Sequence, residues 1–139
     1  MNAVDTNILI YAQDVSQGHK HFKAQALLTA LVPAPSQTIL PWQVLGELVR
    51  KLRQWKDQGF LTVGEFDVRV RTYRSMFPIR LPTLAVLDHA LDLGNRYSLS
   101  HWDSMLLGAC VEAGVATLYT EDMGSPRTID SIQLVNPLD

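Results

Sequence analysis

The sequence predicts an α/β fold, a largely parallel sheet covered by helices on both faces. Three observations carry this expectation. Short apolar or β-branched runs, such as 115–119, alternate along the chain with longer stretches of helical periodicity. Parallel neighbours need crossover connections, and the intervening helices supply them while burying the sheet. With 139 residues and 47% hydrophobic side chains, the chain can bury a real core but is short for two independent units, so one domain over residues 1–139 is expected.

Ala3 and Val4 read as an opening strand, after which Asp5 or Asn7 caps a helix through Ile8, Leu9, Ile10 and Tyr11. A second helix spans about His19 to Leu31. Gln37 to Leu40 suits a short strand, and Pro41 the first turn of a helix to about Lys56. That helix carries an apolar stripe of Val44, Leu45, Leu48, Val49 and Leu52, with Glu47, Arg50, Lys51 and Gln54 on its other face. Thr62 to Met76 reads as a further helix, Ile79 to Leu81 as a strand, and Thr83 as the cap of a helix reaching Tyr97. Ser100 caps another helix, which ends near Gly114. Val115 to Tyr119 and Ile132 to Val135 read as the last strands.

Composition narrows the chemistry. No apolar run approaches the roughly 18 to 20 residues that cross a bilayer, and the first residues lack the pattern of a secretory signal, so a cytoplasmic protein without a membrane segment is expected. Cys110 is the single cysteine, which excludes an internal disulfide and disfavours a thiolate zinc site; its setting among Leu106, Leu107, Ala109 and Val111 suits a small buried hydrophobe. The four His form no helical metal pair, and no Gly-rich phosphate loop is present. Net charge is −2, without the basic surplus common among nucleic-acid binders. Residues 50–80, however, hold eight Lys and Arg against three acids, leaving that segment at +5 and the remainder at −7. Such a run suits either a solvated helix face or a phosphate track.

In an open α/β sheet, ligands collect outside the carboxyl ends of the strands. Four acids are placed to reach that edge. Asp5 follows the first strand, and Asp122 follows the 115–119 strand. Asp103 lies in the first turn of the helix that precedes that strand, and Glu47 lies about two turns into the helix after the second strand. Singly each has an ordinary explanation: a helix cap for Asp5, a capping box from Ser100 to Asp103, a Glu47–Lys51 pair worth about 0.2–0.5 kcal/mol, and a turn at Glu121-Asp122. Together, four carboxylates in one crevice would raise one another's pKa unless a cation sat among them. Oxygen-only ligands point to a hard ion, Mg²⁺ or Mn²⁺.

Four segments in this order resemble the PIN-domain nucleases: Val4-Asp5-Thr6-Asn7, Val44-Leu45-Gly46-Glu47-Leu48, His101-Trp102-Asp103-Ser104, and Thr120-Glu121-Asp122 after a strand. The resemblance runs through almost the whole chain, as far as Ile132 to Pro137, and is strongest to the VapC-type toxins of toxin–antitoxin pairs. It implies a PIN-like three-layer α/β/α sandwich with a short, mainly parallel central sheet. It also implies a Mg²⁺- or Mn²⁺-dependent endoribonuclease, with Asp5, Glu47, Asp103 and Asp122 as catalytic and metal-binding acids and Asn7 and Thr120 as supporting polar residues. An RNA substrate, a homodimer and a cognate antitoxin that blocks the site complete the expectation. Two other readings of the residues stay open: a phosphatase with Asp5 as nucleophile, and a non-catalytic module whose acidic pocket receives a basic partner.

Overall fold

The computed structural model describes residues 1–139. In chain order its elements are β1 (Asn2–Val4), α1 (Thr6–Tyr11), α2 (His19–Leu31), β2 (Thr38–Pro41), α3 (Trp42–Asp57), α4 (Val63–Met76), β3 (Ile79–Arg80), α5 (Leu84–Tyr97), α6 (His101–Glu112), β4 (Thr117–Tyr119), β5 (Arg127–Ile129) and β6 (Ile132–Val135). The sheet order is β3-β2-β1-β4-β6-β5, parallel throughout except for β5, which runs antiparallel to β6.

This order explains the layers. From β1 the chain steps outward to β2 and then β3, and a right-handed crossover puts α1 to α4 on one face. It then returns across the sheet to β4, and the same handedness places α5 and α6 on the opposite face. The result is the expected three-layer α/β/α sandwich. The direction of winding changes between β1 and β4, which opens a crevice at their carboxyl ends.

Local chemistry fixes the helix starts. Thr62 caps α4 with a reciprocal box, its hydroxyl accepting from the Glu65 amide while the Glu65 carboxylate accepts from the Thr62 amide. Ser100 caps α6 through the Asp103 amide. Thr83 stands at the start of α5 as the sequence suggests, but its hydroxyl donates to Glu112 at 2.6 Å instead of capping. Pro41 closes β2 and caps the position before α3, so that helix begins one residue later, at Trp42.

The stripe expected on α3 is largely seen: Val44, Leu48 and Leu52 are fully buried, facing a core that includes Ile8, Leu9, Leu40 and Leu118. Cys110 is buried in the same core, and burial pushes its thiol up to about 12, as befits an inert hydrophobe. The expected Glu47–Lys51 pair does not form. Lys51 instead donates to Gln54 at 3.3 Å and lies over the Trp55 ring.

β5 is the strand the sequence reading did not foresee. It has three residues, of which only Ile129 is buried, and its hairpin to β6 turns through Asp130 and Ser131 without a glycine. Asp130 takes φ +51°, a conformation that Asp tolerates better than most residues, and its carboxylate is held by Arg96 and Tyr97.

α5 and α6 approach each other closely at Gly108. A Cβ on Gly108 would sit 2.5 Å from the Val86 carbonyl oxygen and 3.0 Å from the Ala90 amide nitrogen, so only glycine lets the two backbones meet there. Gly46, on the exposed side of α3, has nothing within 4 Å of such a Cβ. Gly108→Ala is expected to destabilise the fold by about 1–3 kcal/mol through overpacking, whereas Gly46→Ala should stabilise it by up to about 1 kcal/mol. Urea denaturation of both variants measures the pair; a Gly108→Ala protein as stable as the parent would contradict the close approach.

Candidate active site at the carboxyl edge of the sheet

Asp5 and Thr120 terminate neighbouring parallel strands. The Asp5 amide extends the β1–β4 ladder to the Tyr119 carbonyl at 2.9 Å, and the Thr120 amide extends the β4–β6 ladder to the Val135 carbonyl at 2.9 Å. Backbone pairing therefore delivers both side chains to the same edge. Asp5 is buried, at 7% exposure, and both carboxylate oxygens are partnered: Oδ1 accepts from the Thr6 amide and Oδ2 from the Thr120 hydroxyl, each at 2.7 Å. Thr120 Oγ1 also accepts from the Asp122 amide at 3.0 Å, so one fully buried hydroxyl positions two of the expected acids.

A crevice of about 610 Å³ opens over this pair, with Asp5, Asn7, Glu47 and Asp122 in its wall. Glu47 Oε2 accepts from Thr6 Oγ1 at 3.1 Å, and Glu47 Oε1 accepts from Gln43 Nε2 at 2.8 Å. Asn7 Nδ2 donates to Asp122 Oδ2 at 3.0 Å. Asp103 stands one helix terminus away; it does not line the crevice, but its charge reaches Asp122 and helps raise that group's pKa. Its carboxylate takes no hydrogen bond, since Ser100 engages only its amide, leaving half of the expected capping box unmade.

The electrostatics follow from burial. Loss of solvent pushes the Asp5 carboxyl up to about 6 from 3.8, against the hydrogen bonds from Thr120 and Thr6, and the charges of Asp122 and Glu47 add to the rise. Asp122 is raised by partial burial and then by Asp103 and Glu121, partly offset by Asn7 and Lys20. Raised carboxyls of this kind in a cleft are common at functional sites. Arg50 and Lys51 line the crevice, yet neither forms an ion pair with its acids.

The donor set fits a hard divalent cation. It is made of carboxylate and amide oxygens, and Asn7 Oδ1 is buried with no hydrogen-bond partner, an acceptor open to a cation or its water. No three acidic or imidazole side chains already surround a common point.

Comparison with known proteins identifies the family and the fold. The model of the PIN domain family matches residues 3–128. The chain belongs to the PIN-domain family. No curated protein sequence matches it. Among solved structures, this PIN domain is similar to a toxin–antitoxin complex from Klebsiella pneumoniae, at 21% identity and a TM-score of 0.72 over 99% of this chain and 98% of that one. It is similar also to the Mycobacterium tuberculosis toxin VapC20, described as cleaving the sarcin–ricin loop, at 16% identity and a TM-score of 0.68 over 96% and 99% of the two chains. A third is VapBC2 from Rickettsia felis, bound to a DNA fragment from its promoter, at 15% identity and a TM-score of 0.71 over 96% of each chain. At these identities the likeness establishes a common fold.

Three contributors to this PIN domain's crevice escaped the sequence reading. Thr6 lies within the quoted opening segment, but its bond to Glu47 spans 41 residues and has no local signal. Gln43 stands one helical turn before Glu47, a spacing that could have flagged it. Glu121, read only as a turn residue, is bound by the Tyr11 hydroxyl and by Lys20 at 3.0 Å, which ties the loop carrying Asp122 to α1 and α2.

Because the folded state favours neutral Asp5, its contribution to stability is full below a pH of about 4 and is lost as pH rises through about 6. The shift corresponds to about 3 kcal/mol. In EDTA, the stability of Asp5→Asn relative to the parent should therefore rise by up to that amount between pH 4 and roughly 7. Urea denaturation across this range reads the difference, and one that stays constant would contradict the burial argument.

Proposed function

We propose that the chain, acting as one domain over residues 1–139, is a Mg²⁺- or Mn²⁺-dependent endoribonuclease and the toxin of a toxin–antitoxin pair. The observation that carries this reading is the gathering of Asp5, Glu47 and Asp122 in one crevice at the switch in strand order of a PIN fold, with the Asp103 charge acting on Asp122. Asp5, Asp103 and Asp122 are the residues to hold the ion, and Glu47 orients water or a second ion. When bound, a divalent ion supplies a water of lowered pKa and positive charge at the scissile phosphate.

The chain's own residues do the rest. Thr120 holds Asp5 and the start of the Asp122 loop in register, Asn7 steadies the Asp122 carboxylate, and Thr6 with Gln43 fixes both oxygens of Glu47. Because a bound divalent ion would supply an activated water, an RNA 2′-hydroxyl is not required as the nucleophile. Water is then the nucleophile, and the products carry a 5′-phosphate and a 3′-hydroxyl. The phosphatase alternative is disfavoured because Asp5-Thr6-Asn7 lacks a second acid two residues on.

An antitoxin partner is supported by the solved complexes of similar fold, and the acidic crevice suits a blocking group of positive charge. A homodimer is supported by α5, whose Leu84, Leu87 and Leu91 follow helical spacing and are exposed, with Leu81 beside them. No helix is long and apolar enough to cross a membrane, and the cytoplasm is the proposed location.

Purified protein should cut labelled single-stranded RNA in Mg²⁺ or Mn²⁺ and not in EDTA. Asp103→Asn should lower kcat/KM by at least about 100-fold, or about 2.7 kcal/mol of transition-state stabilisation. A 2′,3′-cyclic phosphate product would contradict the water mechanism. An inactive protein that still binds a partner tightly would favour the non-catalytic pocket. Separately, light scattering should show a dimer that Leu87→Lys with Leu91→Lys converts to a monomer; an unchanged mass would remove α5 from the interface.

A further inference from the structure

We propose that Trp102 is the platform on which one nucleobase of single-stranded RNA stacks while the adjoining phosphate lies against Arg50 and Lys51. The inference rests on the nuclease reading and adds to it a strandedness and a positioning residue.

Trp102 is 63% exposed although it is large and apolar, and it stands in the wall of the polar crevice rather than in the core. Its place is fixed. The Trp102 carbonyl accepts from Gln43 Nε2 at 3.1 Å, and the same nitrogen donates to Glu47 at 2.8 Å, so the main chain that carries the indole is tied to a site carboxylate. The His101 ring meets the indole edge-on, with centroids 4.6 Å apart and planes at 74°.

The crevice therefore combines carboxylates, one solvent-facing aromatic ring and two cations outside any ion pair, Arg50 and Lys51, the latter resting on Gln54 and the Trp55 ring. A single nucleic-acid strand offers matching groups in sequence, a phosphate for the cations and a flat base for the indole. A duplex keeps its bases stacked internally and withholds that face. Stacking of this kind tolerates any base, so Trp102 positions the strand without dictating its sequence.

The test uses Trp42→Phe with Trp55→Phe, which leaves Trp102 as the only tryptophan. Its fluorescence is followed in Ca²⁺ during titration with a mixed-sequence single-stranded RNA 10-mer, the same RNA as a duplex, and an abasic strand of equal length. Quenching by the single-stranded RNA alone is expected. In parallel, Trp102→Ala should raise KM for RNA cleavage by roughly ten- to hundredfold with kcat little changed, and Trp102→Phe should restore most of the loss. Equal quenching by the abasic strand, or metal-dependent cleavage with an unaltered KM in Trp102→Ala, overturns the platform and leaves the nuclease reading intact. Absence of both RNA binding and cleavage in the parent protein overturns the two together. Because the side chain is exposed, circular dichroism of Trp102→Ala should match the parent, and a lost fold would show the ring to be a packing element instead.

Discussion

The burial of one carboxylate, Asp5, organises the carboxyl edge of this protein. A charge removed from water must find hydrogen bonds or change its protonation. Asp5 does some of each: the Thr6 amide and the Thr120 hydroxyl occupy its two oxygens, and burial still favours the neutral form. The Thr120 hydroxyl is available only because β4 lies beside β1 in parallel register, with Val4 opposite Tyr119. The strand pairing and the polar site are thus one construction. A cation beside Asp5 would favour its charged form, against the effect of burial.

The two helical layers serve this edge in different ways. On one face, α1 starts at Asp5 itself and α3 leaves β2 to carry Gln43 and Glu47 toward the same crevice. On the other, α6 precedes β4, and its first turn brings Trp102 into the crevice wall and Asp103 close enough for its charge to act on Asp122. The close approach at Gly108 seats α6 on α5. Glu121 draws the Asp122 loop toward α1 and α2 through Tyr11 and Lys20. Elements from both layers are therefore needed to assemble the site.

Much of this architecture is legible in the sequence because its signals are local. Caps at Asp5 and Ser100, the stripe through Val44, Leu48 and Leu52, and the β-branched run before Tyr119 each report on their own neighbourhood. The arrival of Asp5, Glu47 and Asp122 in one crevice follows from strand order once the fold class is known. The parts that escaped notice depend on partners far along the chain. Thr6 meets Glu47 and Gln43 meets the Trp102 carbonyl, 41 and 59 residues away; Lys51 is a different case, a local choice of Gln54 and Trp55 over Glu47 that helical spacing alone does not decide. β5 went unseen because a three-residue edge strand with one buried side chain has almost no periodicity to read.

The central claim is that the crevice acids form a divalent-ion site, and Mn²⁺ uptake measured by electron paramagnetic resonance tests it without requiring a substrate. The parent protein should take up Mn²⁺, Asp5→Asn and Asp122→Asn should each bind it at least about tenfold more weakly, and Asp92→Asn, in the ion pair with Arg96, should bind as the parent does. Equal uptake by all four proteins, or none by the parent, would contradict the account.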